Sequence, residues 1–192
     1  WVLLGVVLVM RGWGAASVYR VNRALLVERT RLPVQRGQPL ADRVLLLAFM
    51  ASFAALISFC ALDVFRLHLA GKPPAAVSTA GLLLFAAGWG IAALALRDNA
   101  FAAVVVKHQP EHAVADGGVY AVVRHPMYAG QLPLLVGMGL WLESWAGALL
   151  ACVPLAILVT RIHLEEAFLR RELEGYGAYA QRVRWRLIPG VW

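Results

Sequence analysis

Four long stretches of this chain contain no charged residue, and this feature strongly limits what the chain can fold into. The stretches are residues 44–62, 77–96, 126–142 and 144–160, and they are 17 to 20 residues long. About 20 apolar residues cross the hydrocarbon core of a bilayer as a helix, with a range of about 17–25. Backbone groups in lipid must find their hydrogen bonds internally, and a helix does so within one segment. The sequence therefore predicts an all-α, polytopic integral membrane protein.

A fifth apolar stretch, at the start of the chain, is weaker. Residues 1–19 are mostly apolar, but Arg11 interrupts them. They lack the basic segment and the initiator methionine of a secretory signal peptide, so we expect a first membrane span instead. The predicted architecture is a single membrane domain, residues 1–192, with about five transmembrane helices. The predicted spans are residues 1–19, 44–63, 77–96, 126–142 and 144–162.

Positive charge is concentrated in three segments of the chain. The net charge is +7, and arginines fill the stretch between the first two spans, the stretch after the third and the segment beyond the last. With the N-terminus outside, five spans place nearly all of these charges in the cytosol, as the positive-inside rule requires. We therefore expect basic segments that contact lipid headgroups, and no binding of nucleic acid. Cys60 and Cys152 lie inside apolar runs, which predicts packing roles and no metal site.

The longest polar segment between two spans covers residues 97–123. A long loop in a compact protein is usually functional, and the Asp-Gly-Gly sequence at residues 116–118 predicts a turn. This turn would return the chain to the membrane surface near Tyr120 and Arg124. Pro126 then suits the first turn of the next helix, where a missing N–H is tolerated.

Polar and aromatic residues bracket the start of that helix. Each alone would be an ordinary interfacial residue, but together they form a less common grouping. The free N–H groups and positive dipole end of a helix N-terminus suit a carboxylate or a phosphate, and tyrosine rings can receive a cationic group. The residues are His112, Tyr120, Arg124, His125 and Tyr128.

Two ionisable residues follow the last apolar run. Arg161 and Glu165 are four residues apart, so they share a helix face. An ion pair between them at an exposed helix end would add only about half a kcal/mol. Near the bilayer boundary, however, an arginine can bind a carboxylate bidentately in a medium of low dielectric constant. The spacing alone leaves both interpretations open.

Three blocks of the C-terminal half resemble the isoprenylcysteine carboxyl methyltransferase family, and especially its short prokaryotic members. They are GGVYAVVRHPMYAG at residues 117–130, RIHLEE at residues 161–166 and YGAYAQRVRWRLIP at residues 176–189. The resemblance covers about residues 99–192 and implies a cytosolic C-terminal cofactor-binding region there. It implies S-adenosyl-L-methionine as cofactor, in a site open to the cytosol of a prokaryotic inner or plasma membrane. The N-terminal half is similar to the family only in being hydrophobic.

The resemblance also implies roles for individual residues. Arg161 matches the arginine that contacts the substrate, and we predict catalytic roles for Arg161, Glu165 and Arg124. Lys107 is a further, weaker candidate for a cofactor contact. The acceptor would be a lipophilic small molecule or prenylcysteine-like substrate that enters from the bilayer. The positions that match the family's cofactor site are His112, Ala113, Val114, Ala115, Tyr120, His125, Pro126, Met127, Tyr128 and Glu165.

Several alternatives stay open at this stage. Membrane sterol reductases, which use NADPH, are similar in the same region, although Pro126 and the pair Glu165–Glu166 argue against them. Phospholipid N-methyltransferases and thiol S-methyltransferases would keep the cofactor and change the acceptor. A non-catalytic membrane accessory protein on the same fold is the alternative from another class. Prokaryotes generally lack prenylated proteins, so the sequence defines the acceptor only as a lipophilic carboxylate, thiol or amine.

Overall fold

The computed structural model describes residues 1–21, 23–29, 34–35, 37–99, 101–102, 104–105 and 113–192. Within these ranges the chain forms helices and turns and no strand, which confirms the predicted all-α class. In chain order, the α-helices of these ranges are α1 (Val2–Val21), α2 (Arg23–Arg29), α3 (Leu40–Leu62), α4 (Ala75–Asp98), α5 (Pro126–Trp141), α6 (Trp145–Leu150), α7 (Cys152–Glu172) and α8 (Tyr176–Arg182). A π-helical turn, Asp63–Leu67, extends α3, and a 3-10 turn, Gly118–Ala121, precedes α5.

The long apolar helices agree with the predicted spans. In the described part of the chain, four helical stretches are long and apolar enough to cross a membrane: Val2–Arg20, Leu40–Leu67, Ala75–Asp98 and Trp145–Glu172. The remaining predicted span, residues 126–142, forms α5, which has only 16 residues. Because a spanning helix needs about 17 residues or more, α5 is one residue shorter than this range and is not among the four stretches. The prediction of a polytopic membrane protein is confirmed.

Glycines allow α4 and α5 to pack very closely. A Cβ atom added at Gly88 would lie 2.5 Å from the carbonyl oxygen of Gly130, and one at Gly81 would lie 2.6 Å from Leu140 Cβ. Small residues that let two backbones approach are typical of helix contacts in membranes. Gly88 therefore opposes Gly130 while Gly81 opposes the last turns of α5, so the two helices run antiparallel. This contact fixes the start of α5 against the second half of α4.

A buried polar cluster joins the C-terminal end of α3 to the turn between α5 and α6. The Asp63 carboxylate accepts hydrogen bonds from Ser144 Oγ at 2.6 Å and from the Leu69 backbone N–H at 2.9 Å. Ser144 also caps α6, because its Oγ accepts the Gly147 N–H at 2.8 Å. Ser144 therefore fixes the tight turn between α5 and α6 to the end of α3.

The last predicted span is divided into two helices. The sequence predicts one span over residues 144–162, but α6 ends at Leu150 and α7 begins at Cys152, two residues before Pro154. Proline has no N–H to donate to the carbonyl four residues earlier, so the ladder of backbone bonds is interrupted there. From Cys152 the helix continues without a break to Glu172, well past the apolar run.

The C-terminal tail, residues 183–192, folds back onto the start of α5. The backbone N–H groups of Arg124 and His125 donate to the carbonyls of Trp185 and Arg186 at 2.9 and 3.0 Å. The carbonyl of Trp192 in turn accepts the N–H of Arg186 at 2.9 Å. These backbone hydrogen bonds hold the tail beside the start of α5.

Candidate functional site

A cavity lies where α4 ends and α5 begins. Its walls come from the loop before α5, from the first turn of α5, from the middle of α7 and from the segment around α8. We call it the α5–α7 cavity. The described residues that line it are Asn99, Phe101, Ala102, Val105, Ala113, Val114, Ala115, Tyr120, Arg124, His125, Met127, Tyr128, Arg161, Glu165, Phe168, Leu169, Leu173, Tyr176 and Tyr179.

Most residues predicted from the sequence meet in this cavity. Of the predicted site residues that the structure describes, Pro126 alone is absent from the lining. It is buried at the first position of α5. His112 and Lys107 lie outside the described residues. The predicted residues that share the lining are Ala113, Val114, Ala115, Tyr120, Arg124, His125, Met127, Tyr128, Arg161 and Glu165.

Tyr128 stands at the centre of the polar part of the cavity. Its hydroxyl donates to Glu165 Oε2 at 2.6 Å. Its ring stacks on the ring of His125, with the centroids 5.7 Å apart and the planes at 12°. The guanidinium carbon of Arg161 lies 5.8 Å from the same ring. One aromatic residue therefore connects the carboxylate of α7 with the cation one turn before it.

Arg161 pairs with a residue that the sequence did not single out. Its Nε donates to Asp42 Oδ1 at 2.8 Å and its Nη2 donates to the Val104 carbonyl at 2.6 Å. Asp42 lies on the first turn of α3, is completely buried, and also accepts a hydrogen bond from Gln38 Nε2 at 2.7 Å. The i,i+4 pair of Arg161 with Glu165 is thus replaced by a pair across helices. Glu165 instead accepts the hydroxyl of Tyr128.

A second buried ion pair holds the cavity wall together. Glu166, next to Glu165 but turned inward, accepts Arg124 Nε at 2.7 Å and Arg186 Nη2 at 3.1 Å. It also lies 3.3 Å from His125 Nε2. Glu166 therefore links α7 to the start of α5 and to the C-terminal tail.

Arg124 is held by the same network. Its Nη1 donates to the carbonyls of Val183 at 2.8 Å and Arg184 at 2.9 Å, in addition to its bond with Glu166. A guanidinium with this many protein acceptors is well suited to position the tail and the first turn of α5. A catalytic role for Arg124 stays a prediction.

Several lining residues were missed by the sequence reasoning. Tyr176 and Tyr179 of α8 belong to the third block that resembles the family, at residues 176–189, but neither was assigned a role in the cofactor site. The Tyr179 hydroxyl donates to the Tyr120 carbonyl at 2.8 Å, which fixes the 3-10 turn to α8. Burial raises the pKa of Tyr120 to about 12 and also raises the pKa of Tyr179, so both phenols stay protonated at neutral pH.

A third guanidinium, that of Arg29 in α2, contacts the cavity wall from outside the lining. Arg29 is half-buried, and its Nη1 donates to the Ala102 carbonyl at 2.7 Å and lies 3.9 Å from Met127 Sδ. Both of these neighbours line the cavity. Burial lowers the pKa of Arg29 because a buried charge loses solvation. From the sequence, Arg29 is one of the arginines between the first two spans that indicate the orientation in the membrane, and no site role was predicted for it.

Comparison with known proteins identifies a family for this chain. A family model described as phospholipid methyltransferase matches residues 77–175. A search of the curated proteins gave no match. The matched segment makes up just over half of the chain, and it includes α4, α5, α7 and most of the residues that line the α5–α7 cavity. The chain therefore belongs to the phospholipid methyltransferase family, a family of membrane methyltransferases.

Proposed function

We propose that the protein transfers a methyl group from S-adenosylmethionine to a lipophilic carboxylate, in the manner of an isoprenylcysteine carboxyl methyltransferase. The observation that carries the proposal is the convergence of Tyr128, Glu165 and Arg161 in one cavity bounded by apolar helices. Membership of the family supports methyl transfer, and the geometry supports the choice of cofactor and acceptor.

The lining of the α5–α7 cavity fits S-adenosylmethionine. When bound, this cofactor supplies a methyl group on a positively charged sulfonium. Glu165, held by the Tyr128 hydroxyl, is a carboxylate that can bind an ammonium group or ribose hydroxyls. The rings of Tyr128 and Tyr120 offer faces for a cation or a base. Ala113, Val114 and Ala115 add backbone groups, as the resemblance implies.

Arg161 supports a carboxylate as acceptor. It is buried, and its pairing with Asp42 fixes the direction of its guanidinium. Transfer to a carboxylate forms a C–O bond and breaks the C–S bond of the sulfonium, giving a methyl ester and S-adenosylhomocysteine with no proton to remove. The side chains therefore need only orient the two reactants and exclude water. Arg29, which contacts the lining residues Ala102 and Met127, adds a further positive charge beside the cavity.

Methylation of a phospholipid amine is the second candidate, because the matching family model carries that description. An ammonium headgroup would have to lose a proton before it could attack. The guanidinium groups of Arg161 and Arg29 would disfavour a second positive charge nearby. A thiol acceptor would likewise require deprotonation, whereas a carboxylate is already an anion at neutral pH.

The proposed orientation places the cavity toward the cytosol of a prokaryotic cell. The arginine-rich segments flank the cavity end of the molecule, which the positive-inside rule assigns to the cytosol. The cofactor would then enter from the cytosol, and a lipophilic acceptor would enter between the helices from the bilayer.

A methyl-transfer assay with competing acceptors tests the proposal. The purified protein in lipid vesicles is supplied with methyl-labelled S-adenosylmethionine and, separately, N-acetyl-S-farnesylcysteine, phosphatidylethanolamine or a long-chain thiol. We expect base-labile methyl ester from the farnesylcysteine, and its loss in Glu165→Gln. Glu172→Gln is the matched control, because Glu172 is exposed on the same helix and pairs only with its neighbour Arg171 among the described contacts. Label in phosphatidylethanolamine alone would favour the second candidate.

A further inference from the structure

Tyr176 carries a buried hydroxyl that has no hydrogen-bond partner in the described part of the chain. The residue begins α8, is only 4% exposed, and lines the α5–α7 cavity. Its hydroxyl oxygen is shielded from solvent, and no described residue lies within hydrogen-bonding distance of it. Buried polar groups in native proteins nearly always have a partner. A group that departs from this rule beside a cavity is a candidate for contact with a ligand.

The neighbouring residue Tyr179 provides a comparison, because its hydroxyl has a structural hydrogen bond. Tyr179 lies on the same short helix, and the two ring centroids are 5.7 Å apart. It is equally buried, but its hydroxyl donates to the Tyr120 carbonyl at 2.8 Å. Among the described residues, the fold therefore supplies an acceptor for the hydroxyl of Tyr179 and none for that of Tyr176.

The surroundings of Tyr176 define the kind of ligand group that could serve as the acceptor. Tyr176 packs in a buried apolar cluster with Leu173 and Tyr179, and Val114 and Leu169 lie against it. This apolar wall differs from the polar part of the cavity around Tyr128, Glu165 and Arg161. Burial also raises the pKa of Tyr176, so the hydroxyl keeps its proton and can donate it. A flat heteroaromatic base with ring-nitrogen acceptors matches an apolar wall that contains one donor.

We infer that the Tyr176 hydroxyl donates a hydrogen bond to the nucleoside part of the bound S-adenosyl cofactor, and that the cluster around it is the wall on which the purine base rests. The inference rests on the proposed cofactor. It adds to that proposal a residue that is not among the positions matched to the family's cofactor site, and it assigns the two ends of the cavity. The nucleoside lies toward α8, and the charged amino-acid end lies toward Tyr128 and Glu165.

Binding calorimetry on the detergent-purified protein tests the inference with two probes. S-Adenosylhomocysteine contains both the nucleoside and the amino-acid part, whereas 5′-methylthioadenosine lacks the amino-acid part. In Tyr176→Phe we expect the affinity for both probes to fall by the same factor, about three- to tenfold, since one neutral hydrogen bond is lost. A fall for S-adenosylhomocysteine alone would overturn the assignment to the nucleoside, and unchanged affinity for both would overturn any contact.

Thermal unfolding of the ligand-free protein gives an independent readout. Tyr176→Phe removes a hydroxyl that has no partner among the described residues, so the unfolding temperature should not decrease. Tyr179→Phe is the matched control and should lower it, because the Tyr120 carbonyl loses its donor. A decrease in Tyr176→Phe as large as that in Tyr179→Phe would overturn the inference by showing a structural partner. If the unsubstituted protein bound neither probe, the proposed function would fail first, and this inference would fail with it.

Discussion

The ion pair between Asp42 and Arg161 offers the sharpest test of how the cavity is built. Both side chains are buried, and Arg161 Nε lies 2.8 Å from Asp42 Oδ1. Removing one partner leaves the other as a buried, uncompensated charge, which is far more costly than removing both. Asp42→Asn keeps the volume and an acceptor for Gln38 while it removes the charge. We therefore expect a loss of about 1.5–3 kcal/mol in the free energy of unfolding.

A double-mutant cycle separates the pair itself from general damage to α3. Arg161→Gln should also destabilise the protein. The double variant should lose less free energy of unfolding than the sum of the losses in the two single variants, with a coupling energy of about 1–3 kcal/mol. Each protein is unfolded in mixed micelles by titration with sodium dodecyl sulfate, and tryptophan fluorescence follows the unfolding. The titrations give the change in the free energy of unfolding for each single variant and for the double variant.

Asp63→Asn supplies the control for this cycle. Asp63 is also a buried aspartate at an end of α3, but it pairs with Ser144. At 1.5 Å per residue it lies about 30 Å from Asp42 along the helix, so its effect should add to that of Arg161→Gln. A coupling energy below about 0.5 kcal/mol between Asp42→Asn and Arg161→Gln would refute the structural role assigned to the pair.

Three further predictions concern other parts of the molecule. Gly88→Ala should destabilise the protein by about 1–3 kcal/mol in the same titration, because its Cβ would meet the carbonyl of Gly130, whereas Gly90→Ala should be tolerated since Met10 Cε is 3.7 Å away. Arg29→Ala should raise the KM for a carboxylate acceptor about tenfold or more without changing S-adenosylhomocysteine affinity. Arg23→Ala, on the same helix but exposed over the ring of Tyr19, should leave both unchanged. Glu166→Gln should speed proteolysis of the C-terminal tail, because Arg124 and Arg186 lose a charged acceptor; an unchanged cleavage rate would contradict the role of that network.

The spans could be predicted from the sequence because the constraint is local. A stretch without charge that is long enough to cross a bilayer has few alternatives in lipid, and the predicted 77–96 lies within the helix Ala75–Asp98. The division of the last span was harder to place, since Pro154 predicts a disturbance but not the residue at which the helix ends. The break falls at Ala151, three residues before the proline.

The polar contacts of the site depended on tertiary structure and could not be read from spacing. Arg161 and Glu165 are neighbours on a helix, yet Arg161 pairs with Asp42, 119 residues away in the chain. A lone aspartate before an apolar run looks like an ordinary residue of a first helical turn. Its position at the boundary of a predicted span was the available signal, because ionisable residues there usually have a specific partner. Tyr176 begins the third block that resembles the family, but an aromatic residue in a short helix is usually part of the packing, so the sequence did not assign it to the site.

Calorimetric titration of S-adenosylhomocysteine into the detergent-purified protein, with NADPH titrated separately, tests the central claim most directly. The account predicts binding of S-adenosylhomocysteine with a Kd in the micromolar range, its loss in Glu165→Gln, its retention in Glu172→Gln, and no binding of NADPH. Binding of NADPH alone would contradict the account in favour of a reductase. Binding of neither would contradict it in favour of a membrane protein without catalytic activity.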